Sequence, residues 1–330
     1  MKFLTVRFSS IGDIVLTTPV VRCLKKQVMT AEVHYLTKAA FRPLIENNPY
    51  VDKAHYLQDN WNELMEELAR EDFDYIIDLH HNLRTLKVKK RLGKQSWSFN
   101  KLNIEKFLYV NFKLNLLPDK HIVDRNLETL HEFGVRPDGE GLDYFIPEKE
   151  RVKENDIPAS HHAGYIGLVI GAAHDTKKLP LHKLQSLCKT IDHPIILLGG
   201  KEDKAIGDLI AAVDPQKVYN ACGKFSINES SDLVRRAKLI ITHDTGLMHI
   251  AAAFKKPIIS IWGNTVPEFG MYPYFGEKKG SFDVMEVRPL SCRPCSKIGY
   301  DKCPLGHFKC MEAISVEGIY EKVKARLGRA

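Results

Sequence analysis

The chain lacks any apolar run of transmembrane length. Its first eight residues, Met1 to Phe8, make too short a hydrophobic stretch for a signal peptide and are soon followed by Gly12 and Asp13. These absences predict a soluble cytoplasmic protein, with peripheral membrane contact still open to it. Seven cysteines in 330 residues are too few for a secreted disulfide framework. Cys23, Cys188 and Cys222 are scattered and read as small packed hydrophobes. No G-x-x-x-x-G-K-[ST] occurs, and no G-x-G-x-x-G follows a strand-like run. A P-loop NTPase and a nicotinamide dehydrogenase are both disfavoured. Acidic residues are in the minority, 41 against 48 lysines and arginines, for a net charge of +7. That excess suits an anionic ligand or surface without choosing among nucleic acid, phospholipid and phosphorylated sugar.

What is present is a repeating alternation of strand and helix patterns. A length of 330 residues suggests two domains. Strands are predicted at 3–8, 32–36, 53–57 and 75–79, and helices at 14–26, 39–47 and 61–70, with Pro19 kinking or delaying the first helix. Alternation of this kind predicts a parallel sheet covered by helices on both faces. Asp13 stands where the first helix starts, so it is either a helix cap or a carboxylate aimed into a cleft as a general base. From Arg84 to Lys113 nine basic residues face one acid, Glu105, with Trp97, Phe99, Phe107, Tyr109 and Phe112 interleaved. Such a segment fits single-stranded nucleic acid, a phospholipid surface, or merely a solvated helix face followed by a packed loop. A helix from 121 to 133 ends at Gly134, and the polar, aperiodic residues 147–162 read as a linker between domains.

The second half restarts the pattern, with strands at 165–170, 194–198, 217–220 and 256–263 and helices at 181–190, up to 213 and at 230–237. One stretch carries most weight. Leu239 to Thr242 is a buried β-branched run, His243-Asp244-Thr245-Gly246 interrupts it, and Leu247, Ile250, Ala251 and Phe254 recur at helical spacing. This is either an ordinary capped strand–helix joint or an anion site at a helix N-terminus. Two more strand ends in this half, 171–177 and 199–202, carry glycine and lysine, which points to a phosphate-bearing nucleotide. Near the carboxyl end, Cys292, Cys295, Cys303 and Cys310 offer four thiolates to a structural zinc, although the second pair is spaced wider than a standard knuckle. Reduced thiols or a redox-labile pair are the alternatives.

Several segments together resemble the ADP-heptose:lipopolysaccharide heptosyltransferases, glycosyltransferase family 9. They are Arg7-Phe8-Ser9-Ser10-Ile11-Gly12-Asp13 with the residues up to Pro19, Asp78-Leu79-His80-His81-Asn82-Leu83-Arg84-Thr85, His121-Ile122-Val123-Asp124-Arg125-Asn126, Asp244-Thr245-Gly246-Leu247-Met248-His249, and the cysteine-bearing tail. The resemblance implies an α/β chain of GT-B architecture, two Rossmann-like domains with parallel sheets facing a central cleft. Residues 1–155 would bind the acceptor and residues 156–330 the nucleotide-sugar donor. It also implies an inverting, metal-independent transfer of heptose from ADP-heptose to an inner-core sugar of lipopolysaccharide, with no cofactor needed for catalysis.

By the same resemblance Asp13 is the base and Lys177 steadies the leaving diphosphate. Thr176, Glu202, Phe225, Asp244, Thr245, Gly246 and His249 serve the donor, with Ser10, Gly12, Arg84 and Arg125 on the acceptor side. The basic segment would then reach an anionic, lipid-borne acceptor at the inner face of the membrane. Ala172 and Ala173 stand where many members carry hydroxyl residues, and Met248 where a serine is common, so part of the phosphate cradle differs. Transfer from another nucleotide sugar, a nucleotide-sugar epimerase on the same fold, and a nucleic-acid-binding protein are the competing readings.

Overall fold

The computed structural model describes residues 1–277 and 280–328. The chain forms two compact units, one of Met1–Leu102 and Lys120–Phe145 with a short return segment at Tyr274, the other mainly of Asn103–Asp119 and Ile146–Pro273 with the carboxyl-terminal region.

In the first unit the elements are β1 (Lys2–Val6), α1 (Ile11–Val15), α2 (Thr18–Gln27), β2 (Glu32–Lys38), β3 (Lys53–Leu57), α3 (Trp61–Arg70), β4 (Tyr75–Asp78), α4 (Leu83–Leu92) and β5 (Gln95–Ser98). The helix α5 (Asn103–Phe112) belongs to the second unit, and α6 (Ile122–Leu127) to the first. The sheet is parallel throughout, in the order β3-β2-β1-β4-β5. Leu4, Val6, Phe8, Leu36, Leu64, Leu68, Phe73 and Ile76 pack into one core beneath it.

Several sequence expectations shift by local chemistry. The helix expected over 14–26 is two helices, broken after Val15, because Pro19 fits the first turn of α2, where its missing N–H costs nothing. The helix expected over 39–47 is a 3₁₀ turn, Ala39–Leu44, with Pro43 inside it. Between Arg84 and Lys113 lie a helix, an unanticipated strand and a second helix. Trp97 of β5 packs on Phe133 at 4.8 Å and Phe99 is buried, so these two aromatics serve the core. Arg84, Lys87, Lys90 and Arg91 form an exposed face of α4. After α6 the backbone tightens to 3₁₀ over Glu128–Phe133 and stops at Gly134, whose left-handed φ of 68° suits glycine.

The second unit continues with β6 (Ile166–Val169), α7 (Leu181–Thr190), β7 (Ile195–Leu198), α8 (Lys204–Ala211), β8 (Val218–Asn220), α9 (Ile227–Arg236), β9 (Leu239–His243), α10 (Gly246–Ala253), β10 (Ile258–Trp262), β11 (Phe282–Glu286), α11 (Lys309–Glu312) and α12 (Val316–Leu327). Its parallel sheet runs β8-β7-β6-β9-β10-β11, the strand order of a dinucleotide-binding fold. β6, β7, β9 and β10 are buried at every residue, as apolar strands covered on both faces must be. Residues 147–162, expected as a linker, fall within the second unit and pack on it. Val152, Ile157 and His161 are buried, and the Val152 N–H donates to Asp232 at 3.1 Å.

Candidate active site

In an open parallel sheet a ligand binds beyond the carboxyl ends of the strands, where the strand order reverses. That point lies between β1 and β4 in the first unit and between β6 and β9 in the second. Most of the residues singled out from the sequence sit at these two places.

In the first unit Arg7 follows β1 and organises the loop. Its Nε donates to the Ser9 carbonyl at 2.8 Å, one Nη to the Leu79 carbonyl beyond β4 at 2.5 Å, and the other Nη meets Asp13 Oδ1 at 2.6 Å. Asp13 Oδ2 accepts from the Ser10 N–H at 3.1 Å and the Ser10 hydroxyl at 2.8 Å. The carboxylate therefore does cap α1, with one oxygen, while the other faces Arg7. Its side chain keeps 21 % exposure, so a substrate hydroxyl has access. Burial pushes its pKa up, but the Arg7 charge and the Ser10 donors together hold it below the ordinary carboxylate value. Asp13 is thus anionic throughout the neutral range. Ser10 occupies the N-cap position with its hydroxyl given to Asp13, and Gly12 is buried within α1.

His80, at the end of β4, packs edge-on against Phe8 at 5.7 Å. Burial, with the Arg7 and Lys101 charges, pushes its pKa down to about 4, so it is a neutral imidazole at this edge. His80 stands in the quoted motif without an expected role; its place two residues after the strand-ending Asp78 was the available signal. Arg84 is exposed, its guanidinium 5.4 Å from the Phe8 ring centre. Arg125 is buried, and its Nη1 donates to the Asn100 carbonyl at 3.3 Å, next to Phe99, whose ring centre lies 6.0 Å from the Arg7 guanidinium.

In the second unit Lys177 closes a 3₁₀ turn, Asp175–Lys177, beyond β6. Its ammonium lies 2.7 Å from Asp244 Oδ2 beyond β9, and the Thr265 hydroxyl donates to the same oxygen at 3.0 Å. Thr245 occupies the N-cap position of α10 with extended backbone, yet its side chain makes no capping bond. The residues that look like caps are used otherwise, and the first N–H groups of α10 are left without a side-chain cap, as an anion site requires. Gly246 is the first residue of that helix, and His249 is buried one turn further on.

The remaining donor candidates divide. Glu202 is exposed in the turn after β7, and Phe225 is half-buried after β8. Thr176 is buried, and its hydroxyl is spent on the tail: it donates to the Tyr300 carbonyl at 2.9 Å and accepts the Tyr300 N–H at 2.8 Å. The expected direct role of Thr176 toward the donor gives way to a bracing one. Gly299 completes this seam, because a Cβ there would stand 2.5 Å from His174, and its φ of 131° excludes most side chains. Two further braces went unread in the sequence. His243 is fully buried, with a pKa driven down to about 3 by burial and the Lys178 charge; its Nε2 accepts the Leu179 N–H at 3.0 Å. Asp203 accepts the Gly200 N–H at 3.0 Å and an ammonium hydrogen of Lys178 at 3.3 Å.

The cysteine tail does not form the tetrathiolate arrangement considered from the sequence. Cys292, Cys295, Cys303 and Cys310 are free, and among the described residues no three of their sulfurs lie within 4.8 Å of one another. Burial, with the neighbouring tail cysteines, raises the Cys295 thiol and pushes Cys310 up to about 12.

Two Rossmann-like units, each built on a parallel sheet, are the α/β arrangement of the GT-B class. The comparisons place the chain more narrowly. The profile of Glycosyltransferase family 9 (heptosyltransferase) matches residues 61–297, and the chain belongs to that family. Lipopolysaccharide heptosyltransferase 1 of Campylobacter coli is 25% identical over 80% of this chain and 84% of that protein. Lipooligosaccharide heptosyltransferase 2 of Haemophilus influenzae is 23% identical over the full length of both. The solved structure of E. coli ADP-heptose LPS heptosyltransferase II shares the fold with a TM-score of 0.76 at 19% identity, covering 100% of this chain and 99% of that one.

Proposed function

We propose that this glycosyltransferase moves heptose from ADP-heptose to an inner-core sugar of lipopolysaccharide, inverting the anomeric centre. The observation that carries the reading is the pairing at the second switch point. Lys177 and the uncapped N-terminus of α10 supply positive charge where a diphosphate leaves. Asp244, held by Lys177 and Thr265, presents its remaining carboxylate capacity to sugar hydroxyls. Asp13 receives the acceptor proton as the acceptor oxygen attacks the anomeric carbon. The bond from that carbon to the phosphate oxygen breaks, and its electron pair leaves with ADP. A carboxylate held on Arg7 is a weak base, which suits a step in which the hydroxyl turns acidic only as its bond to carbon forms. The Asp13 charge also stabilises the cationic character that develops on the sugar ring.

The acceptor we assign is lipid-borne and met at the inner face of the cytoplasmic membrane. Among the described residues no helix is long and apolar enough to cross a membrane. α5 instead has no buried residue, and it turns Ile104, Phe107 and Phe112 outward at 74 %, 57 % and 67 % exposure. Leu114 and Leu116 follow, also exposed. Tyr109 on the same helix packs against Phe269 at 6.1 Å and anchors it to the second unit. Apolar side chains exposed in this way fit the boundary between acyl chains and headgroups. The test is a donor panel of ADP-heptose, UDP-sugars and GDP-sugars with a core-lipid acceptor. Turnover confined to ADP-heptose is expected, and preference for a uridine or guanosine donor would overturn the donor assignment.

A further inference from the structure

A second polar centre lies in the first unit, on β2, β3 and α3, built from residues the transfer reaction does not use. His34 and His55 are 1 % and 0 % exposed. They stand on neighbouring parallel strands, with His34 opposite Lys53 and Leu36 opposite His55, so the two rings share one face of the sheet. His34 Nδ1 lies 2.9 Å from His55 Nε2 and 3.9 Å from Oε2 of Glu71, the residue that follows α3. The three ligand atoms lie within 4.8 Å of one another.

The outer nitrogens are also engaged. His34 Nε2 meets Glu32 Oε1 at 2.8 Å, and His55 Nδ1 meets Glu67 Oε1. Each carboxylate calls for a ring N–H. With both outer N–H groups given to carboxylates, the two inner nitrogens carry only lone pairs, and these face each other. Lone pairs at that separation repel unless a cation lies between them. A metal with ligands at about 2.0–2.1 Å in tetrahedral geometry sets neighbouring ligand atoms about 3.3 Å apart. The observed 2.9 and 3.9 Å fall on either side of that spacing. A carboxylate behind each histidine is also how protein metal sites fix the tautomer of their ligands.

We propose that His34, His55 and Glu71 bind one divalent transition cation, zinc by preference among those suited to two imidazoles and a carboxylate. The cation would tie the edge strand β3 and the end of α3 to β2. Glu32 and Glu67 act as positioning residues for the two rings. Glu71 is at present held by Lys2 at 3.2 Å and by Lys53. Both ammonium groups ride on flexible stems and would be displaced by the metal.

The test uses the full chain, stripped of metal by chelation and titrated with zinc by calorimetry and with cobalt by visible absorption. One equivalent is expected, with a cobalt spectrum of nitrogen and oxygen ligands and no thiolate charge-transfer band. Zinc should also raise Tm. Glu71→Gln and His55→Ala should abolish the Tm rise and the cobalt bands, and Glu32→Gln should weaken affinity by about 10–100-fold. Lys53→Met should strengthen binding, and Cys292→Ser with Cys295→Ser should leave it intact. If His55→Ala fails to fold by circular dichroism, Glu71→Gln carries the comparison. Thiolate charge transfer, binding unchanged by Glu71→Gln, or no binding beyond that of a His34→Ala, His55→Ala double variant would overturn the proposal, the last by showing that a proton alone bridges the two rings.

Discussion

Replacing Lys177 by methionine separates its ion pair with Asp244 from the role proposed for it toward the leaving diphosphate. The ammonium neutralises Asp244 at 2.7 Å, in a pair whose side chains are only 15 % and 11 % exposed. Removing it leaves a largely buried carboxylate with the Thr265 hydroxyl as its remaining donor. The stability cost is about 1–3 kcal/mol, a fall in Tm of about 2–12 °C for a unit of this size. In the transfer reaction the same ammonium faces the charge developing on the diphosphate, and loss of one such group lowers kcat by about 10²–10³. The two effects part in the double variant Lys177→Met, Asp244→Asn, which removes the stranded charge. Its Tm should recover most of the loss, while its turnover with ADP-heptose stays at or below that of the single variant. Thermal melts and steady-state ADP release read both quantities. Near-normal turnover in Lys177→Met, with the Tm loss present, would show that the lysine serves only to neutralise Asp244.

Arg7→Met removes the charge that lowers the Asp13 pKa, so that pKa should rise toward its ordinary value and the acid limb of kcat/KM should move to higher pH; an unmoved limb would take Asp13 out of the rate profile. Phe107→Asp with Phe112→Asp should reduce association with anionic vesicles by about tenfold or more and slow transfer to a membrane-borne acceptor, while leaving ADP affinity unchanged; unaltered vesicle binding would remove α5 as the membrane face.

The strand framework was legible because buried parallel strands must be apolar on both faces. β7, β9 and β10 announce themselves as isoleucine- and leucine-rich runs, and α3 and α7 fall on their expected residues. β5 was not legible. It is a short edge strand of Gln95–Ser98, and its Trp97 looked like an interaction residue until Phe133, far along the chain, was seen to cover it. The basic aromatic segment read as one face divides between the two units, with α4 in the first and α5 in the second.

At the candidate site, sequence found the loops but not how their atoms are spent. Good cap residues and good phosphate loops are the same residue types, so from sequence Asp244 and Thr245 leave both readings open; in the structure the Thr245 side chain makes no capping bond. Thr176 looked ligand-facing because it precedes Lys177, yet its partner Tyr300 lies 124 positions away, a separation no local pattern reveals. Asp203 and His243 were invisible for the same reason, since their work is to hold loops rather than to meet a ligand.

The central claim is that Asp13 takes the acceptor proton in heptose transfer. Asp13→Asn preserves the side chain's size while removing its charge and basicity. Turnover with ADP-heptose and a core-lipid acceptor should fall by about 10²–10⁴-fold, with ADP affinity unchanged because the proposed donor residues belong to the other unit. Turnover comparable to that of the unaltered enzyme would contradict the account.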